Sequence, residues 1–281
     1  MINSRKIAST VLAGGLLAVA VAGAAHAGLA EAQSAYNSGD FQNAFKELKP
    51  AAEAGNAEAQ ALIAGLYARG QGVDANLDKA AAWYARAADQ GHLHATTMLG
   101  WFYMRGMGVE QDAVKGYRLL SRAAARGQPR AQEMRKAVTE KALLGLDDLV
   151  LVESQKQSID QAEAYYRVGR SFALGHGVPR LPEVAAEAFR RAADRHHPAG
   201  KYEFARRLDA GDGVDEDPKA AFKWFQKAAD QGHADALAMV GRAYLFGRGT
   251  TASRAQAMVA ITRAKALGSE IAQDVLEGMG N

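Results

Sequence analysis

Gly70-Gln71-Gly72-Val73 closes one helical pattern and precedes the start of another. The same phrase returns as Gly106-Met107-Gly108-Val109, Gly175-His176-Gly177-Val178 and Gly211-Asp212-Gly213-Val214, and in worn form as Gly247-Arg248-Gly249-Thr250. Copies within each group stand 36 residues apart, and 69 residues separate Gly106 from Gly175. Self-similarity at a fixed period identifies a repeat array, in which each unit packs on its neighbours rather than into one central core.

Laid out in register, five full units run over 56–91, 92–127, 161–196, 197–232 and 233–268, each reading helix, glycine turn, helix. In the first helix, Ile63, Leu99, Val168, Phe204 and Val240 hold one apolar position. The next residue is always small: Ala64, Gly100, Gly169, Ala205 and Gly241. Four residues beyond the apolar position come Tyr67, Tyr103, Phe172, Leu208 and Tyr244, so one face is packed and the small residues admit a close neighbour. The first glycine of each turn suits the left-handed residue that ends a helix, where a Cβ costs about 1–2 kcal/mol. The second glycine permits another unusual backbone angle. The second helices are expected to start at Asn76, Asp112, Leu181, Asp217 and Ser253; four of these are good N-caps, and Pro182 and Pro218 fit the first helical position. Ser253 with Gln256 reads as a capping box.

Both ends depart from the pattern, as terminal repeats do when one side faces water. Residues 28–55 read as a shortened capping pair around Asn37-Ser38-Gly39-Asp40, and 269–281 as one closing helix. Residues 128–160 form a degenerate repeat or joint, in which Arg135-Lys136 replace the apolar–small pair. Here a longer first helix, a tight turn capped by Asp147 or Asp148, and a second helix are expected. Ser158 with Gln161 is expected to cap the unit that follows.

Residues 1–27 read as an export signal. Arg5 and Lys6 precede an apolar run from Ile7 to Ala22, and Ala25-His26-Ala27 offers an A-x-A cleavage site before Gly28. A short run with that site is a poor membrane anchor, so a soluble mature chain, periplasmic or secreted, is the expectation. Cleavage removes two cations and no acid, which lowers the formal charge from +3 to +1. So little excess charge argues against nucleic acid as a partner. The chain has no cysteine, hence neither disulfides nor thiolate metal sites.

Small residue, Leu-Gly, Tyr, Gly-x-Gly-Val, Lys-Ala, Trp-Tyr and Ala-Ala closing on Gly resembles the Sel-one-like repeat (SLR) family, relatives of tetratricopeptide repeats. Residues 56–91 and 197–232 match best. The resemblance implies an all-α, right-handed α/α superhelical solenoid of antiparallel helix pairs. It also implies a non-enzymatic adaptor that binds a protein partner in its concave groove. Exported bacterial members resemble regulators of envelope signalling or scaffolds for exopolysaccharide secretion. The pattern carries no catalytic residues, and no cofactor or metal site is expected. Members stapled by paired cysteines form a branch to which this chain is dissimilar. The alternative is a carbohydrate-binding module or a cell-wall or polysaccharide-active hydrolase, although no S-x-x-K or G-x-S-x-G offers a nucleophile.

The glycine turns lack the third Gly and the preceding strand of a dinucleotide loop. His92, His197 and His233 open successive repeats and read as solvated turn residues rather than metal ligands. The sharper candidates lie two residues after the apolar position. With tetratricopeptide-like geometry, Gly65, Trp101, Arg170, Arg206 and Arg242 line the groove, with Tyr166 and Tyr202 one turn before two of the arginines. Trp101, Tyr166, Arg170, Tyr202, Arg206 and Arg242 are therefore the partner-binding candidates. An arginine ladder suits carboxylates of an acidic peptide segment or an anionic polysaccharide. The competing reading makes the arginines a solvated face and the tyrosines packing between units.

Overall fold

Side-chain caps divide the chain into helices almost wherever the repeat pattern places a boundary. The structure, a computed structural model, describes residues 29–279; the export signal expected over 1–27 and its cleavage point lie outside these. A helix over residues 29–38 (α1) is followed by α2 (Phe41–Glu53), α3 (Ala57–Arg69), α4 (Leu77–Asp89), α5 (Leu93–Arg105), α6 (Ala113–Ala125) and α7 (Pro129–Leu144). Then come α8 (Leu146–Gln157), α9 (Gln161–Leu174), α10 (Pro182–Asp194), α11 (Pro198–Ala210), α12 (Pro218–Ala229), α13 (Ala234–Phe246), α14 (Arg254–Ala266) and α15 (Glu270–Met279). This is an all-α solenoid of paired helices, with no strand among the described residues. None of the described helices is long and apolar enough to cross a membrane. By internal contacts the chain divides into two units, one ending at Arg135 and one beginning at Lys136, so the division falls inside α7.

All five expected residues open the second helices, four with a side-chain bond, but Ser253 and Gln256 form no capping box, because the Ser253 N–H donates to the Tyr244 carbonyl. Asn76 and Asp112 each accept from the backbone N–H three residues on at 2.8 Å, Asp217 does so at 2.9 Å, and Ser253 at 3.4 Å. Leu181 has no polar side-chain atom to offer, and Pro182 follows it directly. Gly70, Gly106, Gly175, Gly211 and Gly247 end the first helices in the left-handed conformation, with φ between 64° and 74°. At the ends of the second helices, where Gly91, Gly127, Gly232 and Gly268 take positive φ, His196 does so too, at 66°.

Three further expectations need correction. Ser158 does not open α9; it closes α8 at φ 53°, and Asp160 caps α9 by accepting from the Glu163 N–H at 2.8 Å. Neither Asp147 nor Asp148 caps α8, whose N-cap is Gly145 without a side-chain bond. Instead Asp147 accepts from the Tyr165 hydroxyl at 2.5 Å and from Arg191, tying α8 to α9 and α10, and these two bonds hold its carboxyl below the usual range. The repeat-opening histidines are not solvated turn residues. His92, His197 and His233 are N-caps whose Nδ1 accepts from the third N–H of α5, α11 and α13 at 3.1, 3.0 and 3.2 Å. The Nε2 atoms of His92 and His197 reach Glu58 and Glu163 of the preceding pair at 2.8 Å.

An imidazole can accept at Nδ1 only while that nitrogen is unprotonated. Burial pushes His233 below its ordinary value, against a partial upward pull from Asp235 and Glu203. The folded state therefore prefers the neutral ring, so this contribution is full above the unfolded value of about 6.5 and is lost as pH falls below it. Asn56 fills the same cap position in the first full repeat without titrating. In thermal melts at pH 7.5 and 5.0, His233→Asn should lose less Tm on acidification than wild type; equal losses would contradict the assignment.

The second glycine of each turn has a role beyond its backbone angle. A Cβ on Gly72, Gly213 or Gly249 would lie 2.0–2.1 Å from the carbonyl oxygen of Phe41, Pro182 or Pro218, the first residue of the preceding pair's second helix. Gly108 meets Leu77 in the same way at 2.2 Å. Each turn thus docks on the backbone of the repeat before it. Gly177 is the exception: nothing lies within 4 Å of its added Cβ, because the irregular α7 and α8 precede its unit.

Alanine-rich faces supply most of the packing. In the first unit Tyr84 and Phe102 meet edge to face at 5.4 Å within a cluster of buried alanines from α3, α4 and α5. In the second, Ala238, Ala257, Ile261, Ala264 and Ala272 join α13, α14 and α15, so the last described helix packs on the pair before it. The helix α7 buries only Ala131, against Ala123 and Ala124 of α6.

Candidate partner-binding face

Within the second unit α9 approaches α11, the first helix of the next pair. An open cleft of ≈ 780 Å³ runs between them, over Tyr166, Arg170, Arg180, Arg206, Arg207 and Asp212. The helical repeat places Arg170 and Arg206 at one register because they are 36 residues apart, and each guanidinium sits over the tyrosine one turn earlier. The distances to the ring centroids are 5.9 Å for Arg170 on Tyr166 and 5.8 Å for Arg206 on Tyr202.

Charge in the cleft is unevenly partnered. Asp212 receives Arg207, and Arg180 at 3.6 Å, so those three hold one another. Arg206 reaches Glu203 only at 3.5 Å. Among the described residues no carboxylate pairs with Arg170. Four arginines against Glu203 and Asp212 leave the cleft with excess positive charge. Arg170 and Arg206 are the exposed cations best able to meet an incoming carboxylate.

The tyrosines are less available. Tyr166 stacks on His197 at 4.7 Å and Tyr202 on His233 at 4.5 Å, with interplanar angles of 21° and 23°. They pack between repeats, and Tyr202 is only 8% exposed, with burial pushing its hydroxyl pKa upward. Arg242 is exposed but lies at the next step along the face, beside a slot of ≈ 50 Å³ walled by Phe222, Phe225, Met239 and Phe246. Its guanidinium approaches Met239 Sδ at 3.6 Å, and among the described residues it too has no carboxylate partner. Trp101 belongs to the first unit, where it is half-buried against the Tyr84–Phe102 cluster with Arg105 5.2 Å from its ring. The structure thus brings Tyr166, Arg170 and Arg206 to one cleft, sets Arg242 at the adjoining slot, and places Trp101 in the other unit.

Sequence reasoning did not single out Arg180, Arg207, Asp212 or Arg248. Asp212 and Arg248 occupy the variable place between the two glycines, and Arg248 bridges to Asp209 at 2.6 Å and Glu216 at 2.9 Å. That variable place was the available signal, because the turn carries it to the edge of the inner face. Among the described residues no three His, Asp or Glu side chains are grouped to hold a metal.

The helix pairs form an α-solenoid, a class that typically acts as a non-catalytic protein-interaction scaffold. The Sel1 repeat profile matches residues 57–92, 93–128, 162–197, 200–233 and 234–259, more than half of the chain. The chain belongs to the Sel1 repeat family. Among solved structures, it is similar to a protective antigen of uropathogenic Escherichia coli displaying an SLR fold (27% identity, TM-score 0.40). That alignment covers 82% of this chain and 50% of the antigen, so the chain spans half the length of that protein. It is also similar to a Sel1 repeat protein from Oxalobacter formigenes, with 23% identity, TM-score 0.40, and 89% and 90% coverage. A putative Sel1 repeat protein from Klebsiella pneumoniae aligns at 20% identity and TM-score 0.29, over 70% and 98% of the two chains. No curated protein matches the chain.

Proposed function

We propose that this protein is an exported scaffold that holds a protein partner of the cell envelope on the inner face of α9, α11 and α13. The observation that carries this reading is the row of exposed arginines over an open cleft on one face of a Sel1 solenoid. Arginine is enriched at protein interfaces and offers a planar fork to carboxylates. The export signal read over residues 1–27 supports an envelope or secreted setting, where the partner serves signalling or exopolysaccharide secretion.

The test is photo-crosslinking in intact cells, with a photoreactive amino acid in place of Arg206 or of Lys265, an exposed residue of α14. A protein adduct at position 206 and none at 265, on a mature chain starting at Gly28, is the expected result. Adducts only at 265, or an unprocessed cytoplasmic chain, would overturn it.

A further inference from the structure

We infer that the inner face of the second unit reads an acidic polypeptide segment carrying an apolar anchor residue, a specificity that rests on the scaffold reading above. Two neighbouring steps of this face differ in chemistry, and α11 reaches both, lining the first with Glu203, Arg206 and Arg207 and the second with Asp209 alone. Between α9 and α11, Arg170 and Arg206 stand exposed, one without a carboxylate partner and the other only loosely held. Beside α13, the slot is floored by Phe222 and Phe225 of α12 and walled by Met239, with Phe246 74% exposed at its mouth and the Asp209–Arg248 ion pair on its edge. Arg242 at the rim marks a third place for a carboxylate. Successive helix pairs stand about 10 Å apart, so an extended chain of three or four residues, at about 3.3 Å each, spans one step. Acidic residues then fall on the cleft while an apolar side chain enters the slot.

The same observations disfavour an anionic sugar polymer. Sugar rings bind on open aromatic faces, and at the arginine cleft the rings of Tyr166 and Tyr202 are each stacked by a histidine, His197 and His233. A polymer of one repeating polar unit would also place that unit against the slot, where desolvating hydroxyls without partners costs free energy. An acidic peptide satisfies both steps. The arginines supply charge-assisted bonds and orientation, and the slot supplies buried apolar area.

The test is selection of random twelve-residue peptides displayed on phage against the full mature chain, beside calorimetry with alginate oligosaccharides. Enriched peptides should carry Asp or Glu within a few residues of Leu, Met or Phe. A selected peptide should bind R170A/R206A at least about tenfold more weakly, a loss of about 1.4 kcal/mol. F246A, a change at an exposed side chain, should abolish the apolar preference and leave the acidic one. Enrichment without acidic bias, or affinity unaffected by R170A/R206A, would overturn this specificity while leaving a protein-binding scaffold in place. Alginate binding with no peptide enriched would overturn both readings, and no enrichment at all would overturn the peptide specificity.

Discussion

Replacing Gly213 by alanine should lower the unfolding free energy by about 3–5 kcal/mol, whereas the same change at Gly177 should cost only about 1–2 kcal/mol. The two glycines hold the same place in the repeat, and both have positive φ, 81° and 71°. Alanine therefore meets the same left-handed penalty at each. What differs is the neighbour. At Gly213 the new methyl would sit 2.1 Å from the Pro182 carbonyl oxygen, a backbone atom that cannot swing aside, so the turn must lift off α10. At Gly177 nothing lies within 4 Å. Urea unfolding followed by circular dichroism measures both. Equal losses would show that the second glycine is there for its backbone angle alone.

Phe189→Ala should cost about 3–5 kcal/mol, the range for deleting a fully buried aromatic ring. Phe189 is 1% exposed. Its ring occupies the space left by Gly169, where an added Cβ would lie 2.9 Å away, so position 169 has no side chain to refill the cavity. The ring also supports the floor of the cleft: Tyr166 packs against it at 6.0 Å and the Arg207 guanidinium lies 5.6 Å from its centroid. The melting temperature should fall, and peptide binding at Arg170 and Arg206 should weaken even where the variant is still folded. Loss of stability with unaltered binding would mean that the cleft does not depend on this ring.

Local chemistry made most of the fold legible. Helix starts at Asn76, Asp112, Asp217 and Ser253 and stops at the first glycines follow from rules that need no neighbour. Contacts between repeats were harder to read. The close approach at Gly213 depends on the backbone of α10, whose position relative to the turn no single repeat encodes. The histidine caps were missed because imidazole is an uncommon cap, acting here with a carboxylate or a tyrosine face of the previous repeat. For His197 and His233 the trace in the sequence is a spacing of 31, from Tyr166 and from Tyr202; His92, with Ala61 at that distance, leaves none. Around Ser158 and Asp160 two capping residues stand two positions apart, and the left-handed turn at Ser158 that closes α8 decides between them.

For the candidate site, the register of Arg170, Arg206 and Arg242 followed from the 36-residue period. Which arginines are engaged by carboxylates did not. Arg207 follows Arg206 in the chain, yet it is held by Asp212, while Arg206 stays 55% exposed. That difference arises because the turn carries Asp212 back over α11, an arrangement visible only once the turn is folded.

Arg170, Arg206 and Arg242 make up the face proposed to hold the partner. The most direct test is titration of the crosslinked partner, once purified, against wild type and the R170A/R206A/R242A variant, with helicity followed in parallel. The account predicts that the variant keeps its helical signal and its melting temperature within about 2 °C, since exposed substitutions change stability little, and that it loses partner binding. Undiminished affinity on a fully helical variant would contradict it.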